Sequence, residues 1–106
     1  MRLYHNPRCS KSRQAVALLE EKGVEFETYL YLKNGIDPSD IHILLTLDEI
    51  IRTSDLSKSD ISALNSIEEK QKLLENNPEF LQRPVLITAD RAAIGRPPEA
   101  ILSILD

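Results

Sequence analysis

The chemistry-bearing residues crowd into one stretch, Tyr4-His5-Asn6-Pro7-Arg8-Cys9-Ser10-Lys11-Ser12-Arg13. Cys9 is the only cysteine of the chain, and His5, Arg8, Lys11 and Arg13 bring potential positive charge around it. A thiol reacts as its thiolate, a form favoured by nearby cations and by the start of a helix. The stretch is predicted to pass from a short apolar strand (Leu3, Tyr4) through a proline-containing loop into a helix opening near Lys11. Such a junction leaves the first helical N–H groups unpaired, and they suit an anion, either the thiolate or an oxyanion beside it. A free cysteine can also be a small buried hydrophobe, but the loop-to-helix placement favours a nucleophile. Cys9-Ser10-Lys11-Ser12 is a C-x-x-S, so Ser12 cannot resolve a mixed disulfide as a second cysteine would. The second thiol must come from another molecule.

Three arginines stand at predicted element ends: Arg52 after an insert helix, Arg83 before the third strand and Arg96 after the fourth. Each could be a solvated surface group. Arg83 and Arg96, however, are expected to gather at the edge that carries Cys9. A guanidinium fork matches the oxygens of a tetrahedral oxyanion as lysine does not. His5 reads either as a locally paired strand residue or as a donor that holds Cys9 as thiolate. His42 receives no role, and Tyr4, Tyr29 and Tyr31 read as packing. No metal-ligand spacing, phosphate-cradling glycine loop or dinucleotide fingerprint is present, so no metal or bound cofactor is expected.

The elements that must position these residues follow from periodicity. A helix is predicted from about Lys11 to Lys22, with Ala15, Val16, Leu18, Leu19 and Lys22 on one stripe and Gly23 as its left-handed stop. Val24, Phe26, Thr28 and Leu30 then alternate with Glu25, Glu27, Tyr29 and Tyr31, which predicts a strand with the first set inward. A helical insert is predicted over about 37–81. Asp37-Pro38 opens its first helix (Ile41, Leu44, Leu45), and a second carries Leu47, Ile50 and Ile51 and ends at Arg52-Thr53-Ser54. Asp55 to Asn65 reads as loop with one helical turn. Ser66-Ile67-Glu68-Glu69 has capping-box spacing, and Asn77-Pro78 ends the helix it opens. Val85–Ile87, a turn at Ala89-Asp90 and a return strand from Arg91 to Ile94 form a hairpin. Pro97-Pro98-Glu99 starts a terminal helix with Ile101, Leu102 and Leu105 inward. The order β-α-β, helical insert, β-β-α predicts a thioredoxin-like α/β domain over residues 1–106, with a four-stranded mixed sheet flanked by helices.

Composition narrows the function classes. At 106 residues, 42% hydrophobic and 28% charged, the chain suits one ordinary globular domain. A net charge of −4 argues against nucleic acid or an anionic membrane as partner. No apolar run approaches the ~18 residues of a spanning helix, so neither a membrane anchor nor a signal peptide is expected. A lone cysteine points to a reducing, cytoplasmic setting.

Tyr4-His5-Asn6-Pro7-Arg8-Cys9-Ser10-Lys11-Ser12-Arg13, followed by Gln82-Arg83-Pro84-Val85 and Ile94-Gly95-Arg96-Pro97-Pro98-Glu99, resembles the glutaredoxin-coupled arsenate reductases. The resemblance covers nearly the whole chain, with the separated motifs in the family's order and Leu30-Tyr31-Leu32 at the expected strand end. It implies an oxidoreductase that turns arsenate into arsenite with glutathione as co-substrate and glutaredoxin as partner. It matches the family's nucleophile to Cys9, its oxyanion-binding arginines to Arg52, Arg83 and Arg96, its histidine to His5 and its cis-proline to Pro84, with Asn6 and Ser12 supporting the loop. The insert between Tyr31 and Arg52 looks short. The loop differs from the Cys-Gly-Thr-Ser form of the arsenic-resistance enzymes and is more similar to a housekeeping branch. A monomer is the default expectation. The alternatives are an Spx-like regulator binding RNA polymerase, whose usual C-x-x-C is missing here, and a glutathione-dependent oxidoreductase with another substrate.

Overall fold

Alternation along one three-residue strand divides the molecule. In the computed structural model, which describes residues 1–53 and 56–105 with the side chains of Asp60 and Ala63 excepted, strand β1 spans Arg2–Tyr4. Successive side chains of a strand point to opposite faces. Leu3 accordingly joins Ala15, Leu19, Leu86 and Ile101 in one buried cluster, while Tyr4 joins Tyr31, Leu44, Leu74, Leu81, Val85 and Ile87 in another. The first lies under helix α1 (Ser10–Glu21) and the terminal 3-10 helix Pro98–Ile104. The second lies under the insert.

Strands β2 (Glu27–Tyr29), β3 (Val85–Ile87) and β4 (Ala92–Ile94) complete a four-stranded sheet in the order β2-β1-β3-β4. β1 runs parallel to β2, pairing Tyr4 with Tyr29, and antiparallel to β3, pairing Tyr4 with Val85. β3 runs antiparallel to β4, pairing Val85 with Ile94. This is the thioredoxin-like α/β arrangement expected from the element order. Its consequence for chemistry is topological: the residues after β1, after β2, before β3 and after β4 all lie at one end of the sheet.

Several local expectations are corrected. α1 buries Ser12, Ala15 and Leu19, so its buried stripe begins a turn earlier, at a polar residue, and Lys22 is the exposed cap before Gly23 at φ 68°. Only Glu27–Tyr29 of the second strand is paired, and its phase is reversed at the end: Leu30 is exposed, whereas Tyr31 is fully buried. Tyr31 does not end a strand but opens a one-turn helix, α2 (Tyr31–Asn34), closed by Gly35 at φ 76°. Asp37 does not cap a helix directly. It accepts from the Ser39 N–H at 2.9 Å and the Ser39 hydroxyl at 2.8 Å, and helix α3 starts later, at Ile41–Leu44. The helix expected through Leu47, Ile50 and Ile51 is replaced by a turn and an isolated antiparallel bridge between Ile51 and Leu81.

Other expectations hold. The helical turn expected before Asn65 is α4 (Lys58–Ala63), while Ser54 and Asp55 lie outside the described residues. Ser66 caps α5 (Ile67–Asn76) by accepting from the Glu69 N–H at 3.2 Å, and Pro78–Phe80 adds a 3-10 turn. The terminal helix forms as 3-10, not α. Among the described residues no helix is long and apolar enough to cross a membrane.

Candidate active site

Cys9 occupies the N-cap of α1 with extended backbone angles, and its carbonyl accepts the first helical hydrogen bond, from the Arg13 N–H at 3.1 Å. The loop before it is fixed by Asn6. The Asn6 carbonyl accepts from the Cys9 N–H at 3.0 Å, its side-chain oxygen accepts from the Arg8 N–H at 3.0 Å, and its own N–H donates to the Ser12 hydroxyl at 3.3 Å. Both Asn6 and Ser12 are buried. Ser12 therefore supports the loop from below. The Arg13 guanidinium closes it from outside by donating to the Pro7 carbonyl at 2.9 Å.

The Cys9 sulfur makes no capping hydrogen bond of full geometry, though the helix N–H groups lie close enough to act on it. Burial alone would raise its pKa. The N–H groups of Ser12 and Lys11, and then the Arg83 guanidinium, outweigh burial and hold the thiol below its ordinary 9.0. This is the effect expected of a helix start and a cation on a thiolate. His5 behaves differently. Burial, then the charge of Arg13, lowers its pKa from 6.5, so it contributes a neutral ring to the site and not the positive charge expected of it. Its backbone N–H donates to the Tyr29 carbonyl at 2.9 Å, while its Nδ1 is buried with no hydrogen-bond partner.

Arg83 reaches the site from just before β3, across the cis peptide bond Arg83–Pro84. The expected cis-proline is thus in place. Arg96 follows β4, and its Nε donates to the Arg83 carbonyl at 3.0 Å, which braces one arginine on the other. A second cis bond, Arg96–Pro97, was not read from the sequence. The Gly95 N–H donates to the Pro84 carbonyl at 2.8 Å, and a Cβ on Gly95 would stand 2.7 Å from the Pro84 ring, so only glycine lets the two segments approach. Arg52 comes from the insert. Its N–H donates to the Phe80 carbonyl at 2.7 Å, beside the Ile51–Leu81 bridge, and its guanidinium is not among the principal groups acting on Cys9.

The residue that sequence reasoning missed is Tyr31. Its ring stacks on Tyr4 with centroids 6.0 Å apart, and it is fully buried. Its hydroxyl has no hydrogen-bond partner, yet it feels Arg83, Cys9 and Arg96. Burial first, and the Cys9 charge with it, push the phenol up to about 12 against the lowering effect of the arginines. The available signal was topological: β1 and β2 are parallel neighbours, so the residues just past each end fall side by side.

A thioredoxin-like sheet with a lowered-pKa thiol at a helix start and a half-buried arginine acting on it defines a class of thiol-dependent proteins. Comparison with known proteins gives the particular family. The model of the ArsC family matches residues 4–104. An arsenate reductase from Haemophilus influenzae is 38% identical, over 97% of this chain and 97% of its own length. YfgD of Escherichia coli, an uncharacterized protein, is 35% identical over 99% of this chain and 96% of its own. The solved structure of an arsenate reductase from Vibrio cholerae superposes with a TM-score of 0.84 at 30% identity, covering 99% of this chain and 98% of that one. The chain belongs to the ArsC family.

Proposed function

We propose that this protein reduces arsenate to arsenite through the Cys9 thiolate, with glutathione as co-substrate and glutaredoxin as recycling partner. The observation that carries the proposal is the lowered pKa of a thiol sitting at the N-cap of α1 against Arg83. Support for arsenate as substrate comes from relatives such as the Haemophilus influenzae arsenate reductase. The Cys9 sulfur attacks arsenic, forming an S–As bond while one arsenate oxygen leaves as water. Arg83 and Arg96 neutralise the oxyanion and hold it in line, with Arg52 approaching from the insert. A glutathione thiol then bonds to arsenic as a second oxygen leaves as water. The glutaredoxin thiol attacks the glutathione sulfur, so that the disulfide forms and the electron pair of the broken S–As bond stays on arsenic as arsenic(III). One water hydrolyses the remaining Cys9–arsenic bond to release arsenite. Overall, two thiols become one disulfide, arsenic(V) becomes arsenic(III), and one oxygen departs as water.

The missing second cysteine shapes the recycling. With Ser12 at the fourth position of the C-x-x-S, no internal disulfide can form for thioredoxin to reduce. Glutathione supplies the external thiol, and a reducing cytoplasm is the matching location. The test is arsenite formation by the purified protein with glutathione and glutaredoxin, against the same mixture with thioredoxin alone. Turnover only in the first mixture is expected. Turnover with thioredoxin and no glutathione would overturn the coupling. No arsenite in either mixture, together with binding to purified RNA polymerase, would overturn the enzyme in favour of a regulator.

A further inference from the structure

Tyr31 and Tyr4 stack on each other in the same core, and their hydroxyls differ completely. The Tyr4 hydroxyl donates to Asp40 Oδ2 at 2.7 Å and accepts from the Asp37 N–H at 3.1 Å. The Tyr31 hydroxyl, on a residue with no exposed surface, has no partner. Its position is set by the fold. The chain leaves β2 beside the end of β1, so α2 opens next to the Cys9 loop, with Arg83 entering β3 on the other side of β1. A buried hydroxyl without a hydrogen-bond partner is costly, and the groups that act on it, Arg83, Cys9 and Arg96, are those of the candidate site.

We infer that the Tyr31 hydroxyl is a donor of the oxyanion site, giving a hydrogen bond to an oxygen of the anion held beside Cys9 by Arg83 and Arg96. The inference rests on the oxyanion-binding reading above and adds a neutral, directional donor to its two cations. Cations attract any anion; a fixed O–H also selects where its oxygen must lie. The phenol is protonated through the neutral range at its ordinary value of 10, and burial pushes it further, up to about 12. It therefore donates and does not compete as an anion. The ring is locked by its stack on Tyr4 and by the insert core, so the donor is preorganised.

The test measures how well arsenate, phosphate and sulfate protect Cys9 from iodoacetamide in the full chain, for wild type, Tyr31→Phe and Tyr4→Phe. Loss of one hydrogen bond to a charged acceptor predicts that Tyr31→Phe needs roughly ten- to a hundred-fold more anion for half protection. Its Tm should hold or rise, its alkylation rate against pH without anion should match wild type, and any arsenate turnover should show the loss mainly in KM. Tyr4→Phe should lose Tm and keep the wild-type protection. Equal protection of wild type and Tyr31→Phe would overturn the inference and leave the proposed function standing. A higher Cys9 pKa in Tyr31→Phe would overturn it by showing that the hydroxyl serves the thiolate, and a large loss of Tm would show it to be structural. Protection of wild type by phosphate or sulfate but not arsenate would count against arsenate as substrate, with Tyr31 then judged on the anion that binds. If no anion protects wild type, both the inference and the oxyanion reading fail.

Discussion

Two polar clusters flank the same three-residue strand, and they are built on opposite terms. Around Arg2, every group is answered. The guanidinium donates from Nη1 to Asp37 Oδ2 at 2.6 Å and to Asp40 Oδ2 at 2.8 Å, and from Nε to Glu27 Oε2 at 3.3 Å. It also lies 4.8 Å from the centre of the Tyr29 ring, while Tyr4 completes the set through Asp40. Around Cys9 the balance is reversed. Among the described residues, the buried side-chain polar atoms that lack a partner are His5 Nδ1, Tyr31 Oη and Arg83 Nε, and all three belong to the Cys9 end. The first cluster ties the insert to the sheet and is complete within the chain. The second spends stability, at about 1–3 kcal/mol for an unsatisfied buried group, on polarity that the fold itself does not use. Polar groups are answered within the chain at one end of β1, and the unanswered ones collect at the other.

The largest way to break this contrast is Cys9→Ser. Arsenite formation should fall below detection, because no other thiol exists in the chain, while the melting temperature should hold or rise, because serine is a preferred residue at the N-cap that Cys9 occupies. Unchanged turnover would end the thiol mechanism. Arg83→Lys comes next. It keeps the charge and loses the fork, so kcat/KM for arsenate should drop roughly ten- to a hundred-fold with only a modest rise of the thiol pKa. Arg96→Lys should fall in the same range, since it also loses the Nε brace on the Arg83 carbonyl. Arg91→Lys, beside Asp90 on the β3–β4 turn, should stay close to wild type in both measurements. If Arg83→Lys matched Arg91→Lys, the oxyanion site would lie elsewhere.

The saturated cluster should respond in the opposite currency. Asp40→Ala strips Tyr4 of its acceptor and Arg2 of one carboxylate, so urea unfolding should show a loss of about 1–3 kcal/mol. Cys9 alkylation against pH should stay as in wild type. A changed thiol profile in Asp40→Ala would mean that the two clusters are coupled through the Tyr4–Tyr31 stack.

How far these clusters could be read beforehand depends on how local their signals are. The Cys9 loop, the α1 stop at Gly23 and the Ser66 cap are encoded within a few neighbouring residues, and all three are present. The β3–β4 hairpin likewise carries its own short apolar runs and turn. The phase of β2 was misread because alternation assumes one covered face. Here Phe26 packs toward α1 and Tyr29 toward the insert, so both faces are used. The Leu47–Ile51 segment was read as helical because its partner, Leu81, lies thirty residues away and leaves no local trace. α2 is a single turn, too short to show a period. The unpaired hydroxyl of Tyr31 is a property of three dimensions only. Aromatic residues in a strand-like run read as packing, which is also true of its ring.

The smallest expected difference between the two clusters is in their response to acid. Asp37 is held at about 2 by the Ser39 N–H, then the Ser39 hydroxyl, then Arg2. A carboxyl whose pKa is depressed on folding adds stability above its unfolded value of 3.8, and that stability is lost as the pH falls towards about 2. His5 is also depressed, by burial and then by Arg13, so the unfolded chain takes up its proton first. Its contribution is whole above 6.5 and is lost as the pH falls below that value. The two ends of β1 should thus weaken in separate windows, the Cys9 end first. Urea midpoints measured from pH 8 to 2 for wild type, His5→Gln and Asp37→Asn would resolve them. His5→Gln should flatten the curve below 6.5 and leave the steeper acid limb intact. Asp37→Asn keeps an acceptor for the Ser39 N–H but no longer titrates, so it should flatten only the limb below 3.8. Superimposable curves for all three proteins would show that neither group is held where its surroundings place it, and the contrast between the clusters would rest on binding alone.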